Sequence, residues 1–211
     1  MVAYYAKRAA EHDRIYDLPE RQGDVRQLQQ FCRTRFAGLE VLEVSCGTGY
    51  WTRFIAASAR SVTATDINEE VLAIARNRQP SGTAVAFHQA DSYALPDFGR
   101  PFGAGFAGFW WSHVPKHRLG DFLTGFCRRL APDALFVFVD NRYVPGSSTP
   151  ISRTDENGDT FQIRKLVDGS THEVLKNFPS PEELKAAVAG RVSSVEVTLL
   201  DYYWILACRK I

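Results

Sequence analysis

The chain has 211 residues, enough for one α/β domain with a sizeable core. Its 25 Lys and Arg stand against 24 Asp and Glu, so the charge carries no nucleic-acid footprint. The four cysteines, Cys32, Cys46, Cys127 and Cys208, form no CxxC and no His/Cys cluster at zinc spacing, which predicts reduced thiols, no metal and a cytoplasmic location. The N-terminal stretch lacks the apolar core of a signal peptide. The longest apolar run, near Phe102 to Trp111, is too short and too rich in glycine to span a membrane.

In chain order, residues up to about Leu18 read as a helix with aromatic residues. A second helix is expected from about Gly23 to Phe36, where Val25, Leu28, Phe31 and Cys32 fall at helical spacing. Val41 to Val44 is a short strand, followed by a helix from about Tyr50 to Ala59. "SVTATDI" is a strand ending on Asp66, and Asn68 is expected to cap the helix "EEVLAIARNRQ". "AVAFHQAD", "FGAGFAGFWW" and "ALFVFVD" are further strands, with the amphipathic segment "KHRLGDFLTGFCRRL" before the last. This alternation predicts a doubly wound α/β sheet. Pro145 to Gly158 reads as a polar loop, "TFQIRKLVDGSTHEVLKNF" as a hairpin around Asp-Gly, and "SPEELKAAVAG" as a helix capped at Ser180. "VSSVEVTLL" and "YYWILACRK" close the chain as a strand pair.

The stretch "EVLEVSCGTGYWTRF" places a glycine corner between a buried strand and a helix, where a ligand can approach the backbone. A nucleoside triphosphate would want a Lys-Ser/Thr pair after Gly49, where Tyr50 and Trp51 stand instead. A dinucleotide would want a third glycine where Thr52 stands. Asp66, ending the next strand, can accept both hydroxyls of a ribose, and Asp91, ending the third, can receive an exocyclic amine. Together they describe a nucleoside held along the carboxyl edge of a sheet.

The run "VLEVSCGTGYWTRF", followed by "TATD", "HQAD", "FAGFWWSHV" and "LAPDALFVFVD", resembles the class I S-adenosylmethionine-dependent methyltransferases over nearly the whole chain. The resemblance implies a Rossmann-like seven-stranded sheet with a terminal antiparallel pair and a small inserted hairpin, in a single domain over 1–211. Residues 1–20 would form a lid, and 145–179 would cover the acceptor site. It implies S-adenosylmethionine (SAM) as cofactor and S-adenosylhomocysteine (SAH) as product. Ser45, Gly47 and Gly49 would bring backbone to the methionine part and ribose. Asp66 would bind the ribose and Asp91 the adenine amine, with Ile67 and Ser92 flanking the base. Tyr5 would lie near the methionine carboxylate, Trp110 near the sulfonium and Tyr16 near the acceptor. Glu43 is the acidic residue that such motifs carry ahead of Gly-x-Gly, while Ser45 and Cys46 depart mildly from the usual residues.

Methyl transfer needs alignment first, and a base only when the acceptor is protonated. His113, in "WWSHVPKHR" after the fourth strand, is the expected catalytic residue, able either to deprotonate a hydroxyl or to hydrogen-bond an anionic oxygen. For Trp111, core packing is an equal reading; for His117, an exposed helix start is the favoured one. "RKLVDG" and "VLKNFPSPEEL" are similar to a small subgroup that includes a phosphonate O-methyltransferase. There an Arg and a Lys matching Arg164 and Lys176 hold the phosphonate, which implies an anion clamp here. A two-residue loop would put these side chains on opposite faces of the hairpin; a three-residue loop would put them on one. O-methylation of a small anionic acceptor is therefore expected, with no nucleic-acid or membrane partner and a homodimer left open. The alternatives are a small-molecule N-methyltransferase, a non-catalytic SAM-binding protein and an NAD-dependent oxidoreductase.

Overall fold

The computed structural model describes residues 13, 15–79 and 82–211; the expectation for Tyr5, and most of the expected first helix, lie outside these. A 3-10 turn at Pro19–Arg21 leads into helix α1 (Gln22–Arg35). Strand β1 (Glu40–Val44) is followed by a short α2 (Thr52–Ala56), β2 (Ser61–Asp66), α3 (Glu69–Arg78) and β3 (Val85–Gln89). Then come β4 (Phe102–Gly108), α4 (Leu119–Cys127) and the long β5 (Leu130–Asn141). Strands β6 (Ile151–Thr154), β7 (Thr160–Lys165) and β8 (Thr171–Leu175) precede α5 (Pro181–Val188), β9 (Val192–Leu199) and β10 (Tyr203–Lys210).

The main sheet has seven strands in the order β3-β2-β1-β4-β5-β10-β9, and the smaller sheet has β6-β7-β8. Strands β1 to β5 pair in parallel, while β10 runs antiparallel to both β5 and β9. The expected α/β Rossmann-like sheet with a terminal antiparallel pair is present. The inserted hairpin is larger than expected, because a third strand, β6, lies inside the segment read as a polar loop.

Period-2 alternation divides the buried side chains between the two faces of the main sheet. Val41, Val137, Val139 and Ile205 pack toward Val25, Leu28 and Ile55. Leu42, Phe136, Phe138 and Leu206 pack toward Phe122, Phe126 and Leu184 on the other face. Both faces are thus covered by helices, and the crossovers return every parallel strand in the same direction. Their carboxyl ends therefore share one edge, where Val44, Asp66, Gly108 and Asn141 terminate their strands. The four cysteines are free and buried. No helix among the described residues is long and apolar enough to cross a membrane.

Candidate active site

The carboxyl edge opens into a cavity of about 350 Å³. The glycine corner after β1 forms its floor. Ser45 has φ of 53° and Gly47 of 55°, so the chain turns through left-handed backbone at both positions. Ser45 is held there by a 2.8 Å hydrogen bond between its hydroxyl and that of Ser92. The Gly47 N–H donates to Asp66 Oδ2 at 2.9 Å, and the Asn68 N–H donates to Asp66 Oδ1 at 2.9 Å. Asn68 occupies the N-cap of α3 in extended backbone, but its side chain makes no capping bond. Asp66, rather than Asn68, ties the start of that helix to the corner.

Of the expected site residues, Tyr16, Ser45, Gly47, Asp66, Ile67, Asp91, Ser92, Trp110 and His113 line this cavity. Gly49 does not. A Cβ there would meet Ala75 Cβ at 3.0 Å, so its role is to let α3 pass close to the corner. Asp91 is exposed, and its Oδ1 accepts from the Tyr93 N–H at 2.9 Å, so it caps a turn as well as facing the cavity. Tyr16 is buried, accepts a 3.0 Å bond from Trp51 Nε1 and stacks on Tyr50, placing it on the wall of this cavity. Trp111 belongs to the core, edge-on to Phe138 and Trp204, and His117 is exposed.

Further residues join them, four of which bear on its chemistry. Glu43, named in the sequence only as a motif acid, lines the cavity and is buried. Its Oε2 has no hydrogen-bond partner, and burial, with help from the Asp66 charge, pushes its carboxyl up to about 8. Tyr93, Phe109 and Arg118 also belong to the wall, with the Arg118 guanidinium 3.6 Å from the Tyr93 ring centroid. Arg118 lies in "PKHR", a basic run beside the strand-four motif that could have marked it.

The residues present fit an adenosyl sulfonium better than a nucleotide pyrophosphate. Three carboxyls, Glu43, Asp66 and Asp91, face the cavity against one guanidinium. A pyrophosphate would be repelled by Asp66 and Asp91, whereas a cationic ligand would favour ionisation of the buried Glu43.

His113 lines this cavity and is bonded to Leu175, the neighbour of Lys176, which lines a second one. It is buried, and its Nδ1 lies 2.7 Å from the Leu175 carbonyl oxygen. A carbonyl only accepts, so Nδ1 carries the proton and the neutral ring keeps its lone pair on Nε2. Burial, followed by the positive charge of Lys176, pushes the imidazole down to about 3. The residue that follows β8 is Lys176, whose Nζ donates to Ser112 Oγ at 2.6 Å and to Asp140 Oδ1 at 3.0 Å. Burial works to raise the Asp140 carboxyl, but Lys176, His113 and the N–H groups of Ser112 and Asn141 outweigh it and hold it low.

The second cavity, about 280 Å³, contains Arg164 and Lys176 in its wall, together with Arg21, Asn141, Gln162 and Phe178. Leu166 and Ser170 close the β7–β8 turn with a 2.9 Å backbone bond, leaving a three-residue loop, 167–169. Arg164 consequently pairs with His172, and the Lys176 N–H donates to the Thr160 carbonyl, so Arg164 and Lys176 share one face. The condition set by loop length is met. Among the described residues no His/Cys/Asp/Glu cluster could hold a metal ion.

Residues 41–133 match the family model described as a methyltransferase domain. The chain is 34% identical over 93 residues to the malonyl-[acyl-carrier protein] O-methyltransferase of Pectobacterium atrosepticum, a match covering 44% of this chain. It spans about a third (32%) of that curated relative's length. Among solved structures it resembles DhpI in complex with SAH, with 30% identity, a TM-score of 0.79 and coverage of 99% of this chain and 94% of that one. A complex of DhpI with SAM and HEP gives 29% identity, a TM-score of 0.80, and 99% and 95% coverage. The PH0226 protein of Pyrococcus horikoshii, at 17% identity and a TM-score of 0.74 over 95% and 99% of the two chains, shares the fold. The acidic cavity at the carboxyl edge, the sheet order and the near-full-length likeness to DhpI agree, and the chain belongs to the class I SAM-dependent methyltransferases.

Proposed function

We propose that this methyltransferase methylates an oxygen of a small anionic acceptor seated between His113 and the small sheet. The observation that carries the reading is the opposed sign of two cavities: an acidic one lined by His113, and one beside β8 whose described wall holds cations and no carboxylate. Bound SAM supplies a cationic sulfonium bearing an electrophilic methyl. Asp66 would bind its ribose and Asp91 its adenine amine, with Ile67 and Ser92 flanking the base. The backbone of Ser45 and Gly47 lies alongside, with Trp110 toward the sulfonium. Glu43 would meet the positive charge. Arg164 and Lys176 would hold the acceptor's anion and so align its oxygen.

His113 fits an orienting role better than that of a base. A ring that protonates only near pH 3 takes up a proton poorly at neutral pH, and an ionised oxygen needs none removed. Its Nε2 lone pair can accept a hydrogen bond from a hydroxyl on the acceptor. Two relatives support the oxygen and the small ligand: one is an O-methyltransferase by name, and DhpI takes HEP beside SAM. The cationic cavity opposes an ammonium acceptor.

Turnover of methyl-labelled SAM with carboxylates, phosphonates and amines tests the reading: esters are the expected products, and methylated amines in their place would overturn it. Arg164→Ala is expected to raise the acceptor KM with SAM affinity retained. Asp66→Ala should show the opposite pattern, weakening SAM by roughly 1–3 kcal/mol. The two patterns exchanged would place the acceptor elsewhere.

A further inference from the structure

The turn that presents His113 is gripped from two directions. From the small sheet, the Leu175 carbonyl accepts from His113 Nδ1 at 2.7 Å, and Lys176 Nζ donates to Ser112 Oγ at 2.6 Å. Asn177 donates its N–H to the Ser112 carbonyl at 2.8 Å and its Nδ2 to that of Val114 at 3.3 Å. From the main sheet comes Asp140, at the end of β5 and wholly buried. Its Oδ2 accepts from the Ser112 N–H at 2.9 Å and its Oδ1 from Lys176 Nζ at 3.0 Å. Oδ1 also accepts from the Asn141 N–H at 2.7 Å and from Asn141 Nδ2 at 3.0 Å. One carboxylate thus ties β5 to a turn 28 residues before it and to a segment 36 residues after it. A buried ion pair adds little to stability by itself, since desolvating both charges offsets most of their attraction. What this one supplies is direction: each oxygen has its own donor, so the carboxylate plane is fixed and both grips are fixed with it.

We infer that Asp140 is a positioning residue for methyl transfer that acts through His113: it locks the turn and the segment 175–177 into one unit, so that the ring keeps its proton on Nδ1 and presents Nε2 to the acceptor. The inference rests on the reading above that His113 orients the acceptor. The geometry calls for a carboxylate and not for an amide. An asparagine at this place has one accepting oxygen and one donating nitrogen, so it can serve the Ser112 N–H or Lys176 Nζ, and its nitrogen would face a donor. Either choice releases one grip. The imidazole is then held by the Leu175 carbonyl alone, from a segment no longer fixed to β5. In-line transfer depends on alignment, so a small tilt of the group that orients the acceptor is costly in rate.

Two readouts test this. In NMR spectra of the full chain with isotope-labelled histidine, His113 should show a single tautomer with its proton on Nδ1, slow to exchange with water. Asp140→Asn should speed that exchange at least about tenfold and mix the tautomers, with SAM affinity unchanged. An unaltered Nδ1–H in the folded variant would overturn the inference. Methyl transfer from SAM to acetate and to methylphosphonate, followed with the faster of the two, should lose at least about tenfold in kcat in the same variant. In a His113→Ala background the substitution should cost nothing further, because the ring through which Asp140 acts is gone. An unchanged kcat, or an equal loss in both backgrounds, would overturn the inference and leave the anionic-acceptor reading standing. Transfer to neither compound would overturn that reading, and the NMR result would still decide for Asp140. If Asp140→Asn does not fold, Asp140→Asn combined with Lys176→Gln removes both buried charges together. The Ser112 N–H and the introduced amide then compete for a single oxygen, so the same faster Nδ1–H exchange is expected. Exchange as slow as in the unaltered protein would overturn the inference.

Discussion

His113 is held neutral by its surroundings: buried, bonded to a carbonyl and close to Lys176. An unfolded histidine takes up a proton below about 6.5, whereas this one resists until about 3. The unfolded chain therefore binds the extra proton in that window. The stability His113 contributes is complete above about 6.5 and falls as the pH drops toward 3, by at most about 1.4 kcal/mol per unit. His113→Asn should flatten that part of the acid limb in urea unfolding curves. The pH profile of kcat/KM should show no inflection near 6.5 that this substitution removes; such an inflection would make His113 a base. The residues legible in the sequence are those whose chemistry follows from strand ends. Asp66 and Asp91 could be placed because parallel strands finish on one edge. Asp140, at the end of "ALFVFVD", obeys the same rule. Arg21 could not be found in this way, because its setting depends on Asn141 and Ser147, more than a hundred residues away in the chain.

At the scale of elements, β4 is a strand of small residues because α4 lies against it. A Cβ at Gly105 would come 2.5 Å from Phe126 Cζ and 3.0 Å from Leu130 Cδ2, both in the core. Gly105→Ala is expected to cost about 1–3 kcal/mol in chemical denaturation, since neither neighbour can retreat without disturbing the packing around it. An unchanged midpoint would mean that α4 is free to move away. Strand β5 was legible because the apolar run over its second half is nearly continuous. Strand β6 was not, because its four residues are all exposed and show no alternation. It is fastened instead by Arg153, which stacks on Phe161 of β7 and forms a two-pronged ion pair with Glu173 of β8. Helix α2 is shorter than its sequence suggested, ending at Ala56, and the chain beyond it turns so that the Ser58 carbonyl accepts from the Gly38 N–H.

Across the whole molecule, the buried Glu43 sets a second pH dependence. Its carboxyl ionises only near 8 in the fold, against about 4.5 in the unfolded chain. The folded state holds a proton that the unfolded state releases, so this contribution is complete below about 4.5 and is lost as pH rises through 8. Between about 6.5 and 8 the ligand-free protein should lose up to about 1.4 kcal/mol per unit, and Glu43→Gln should remove that slope in urea titrations at stepped pH. A slope that survives the substitution would assign the proton to another group. The opposed polarity of the two cavities has a consequence for turnover. On the proposed reading, once the methyl has crossed, the acidic chamber would face a guest that has become neutral, and the basic chamber a guest with one negative charge fewer. Both holds would then slacken in a single event, and the chemical step itself would prepare the two spent molecules to depart.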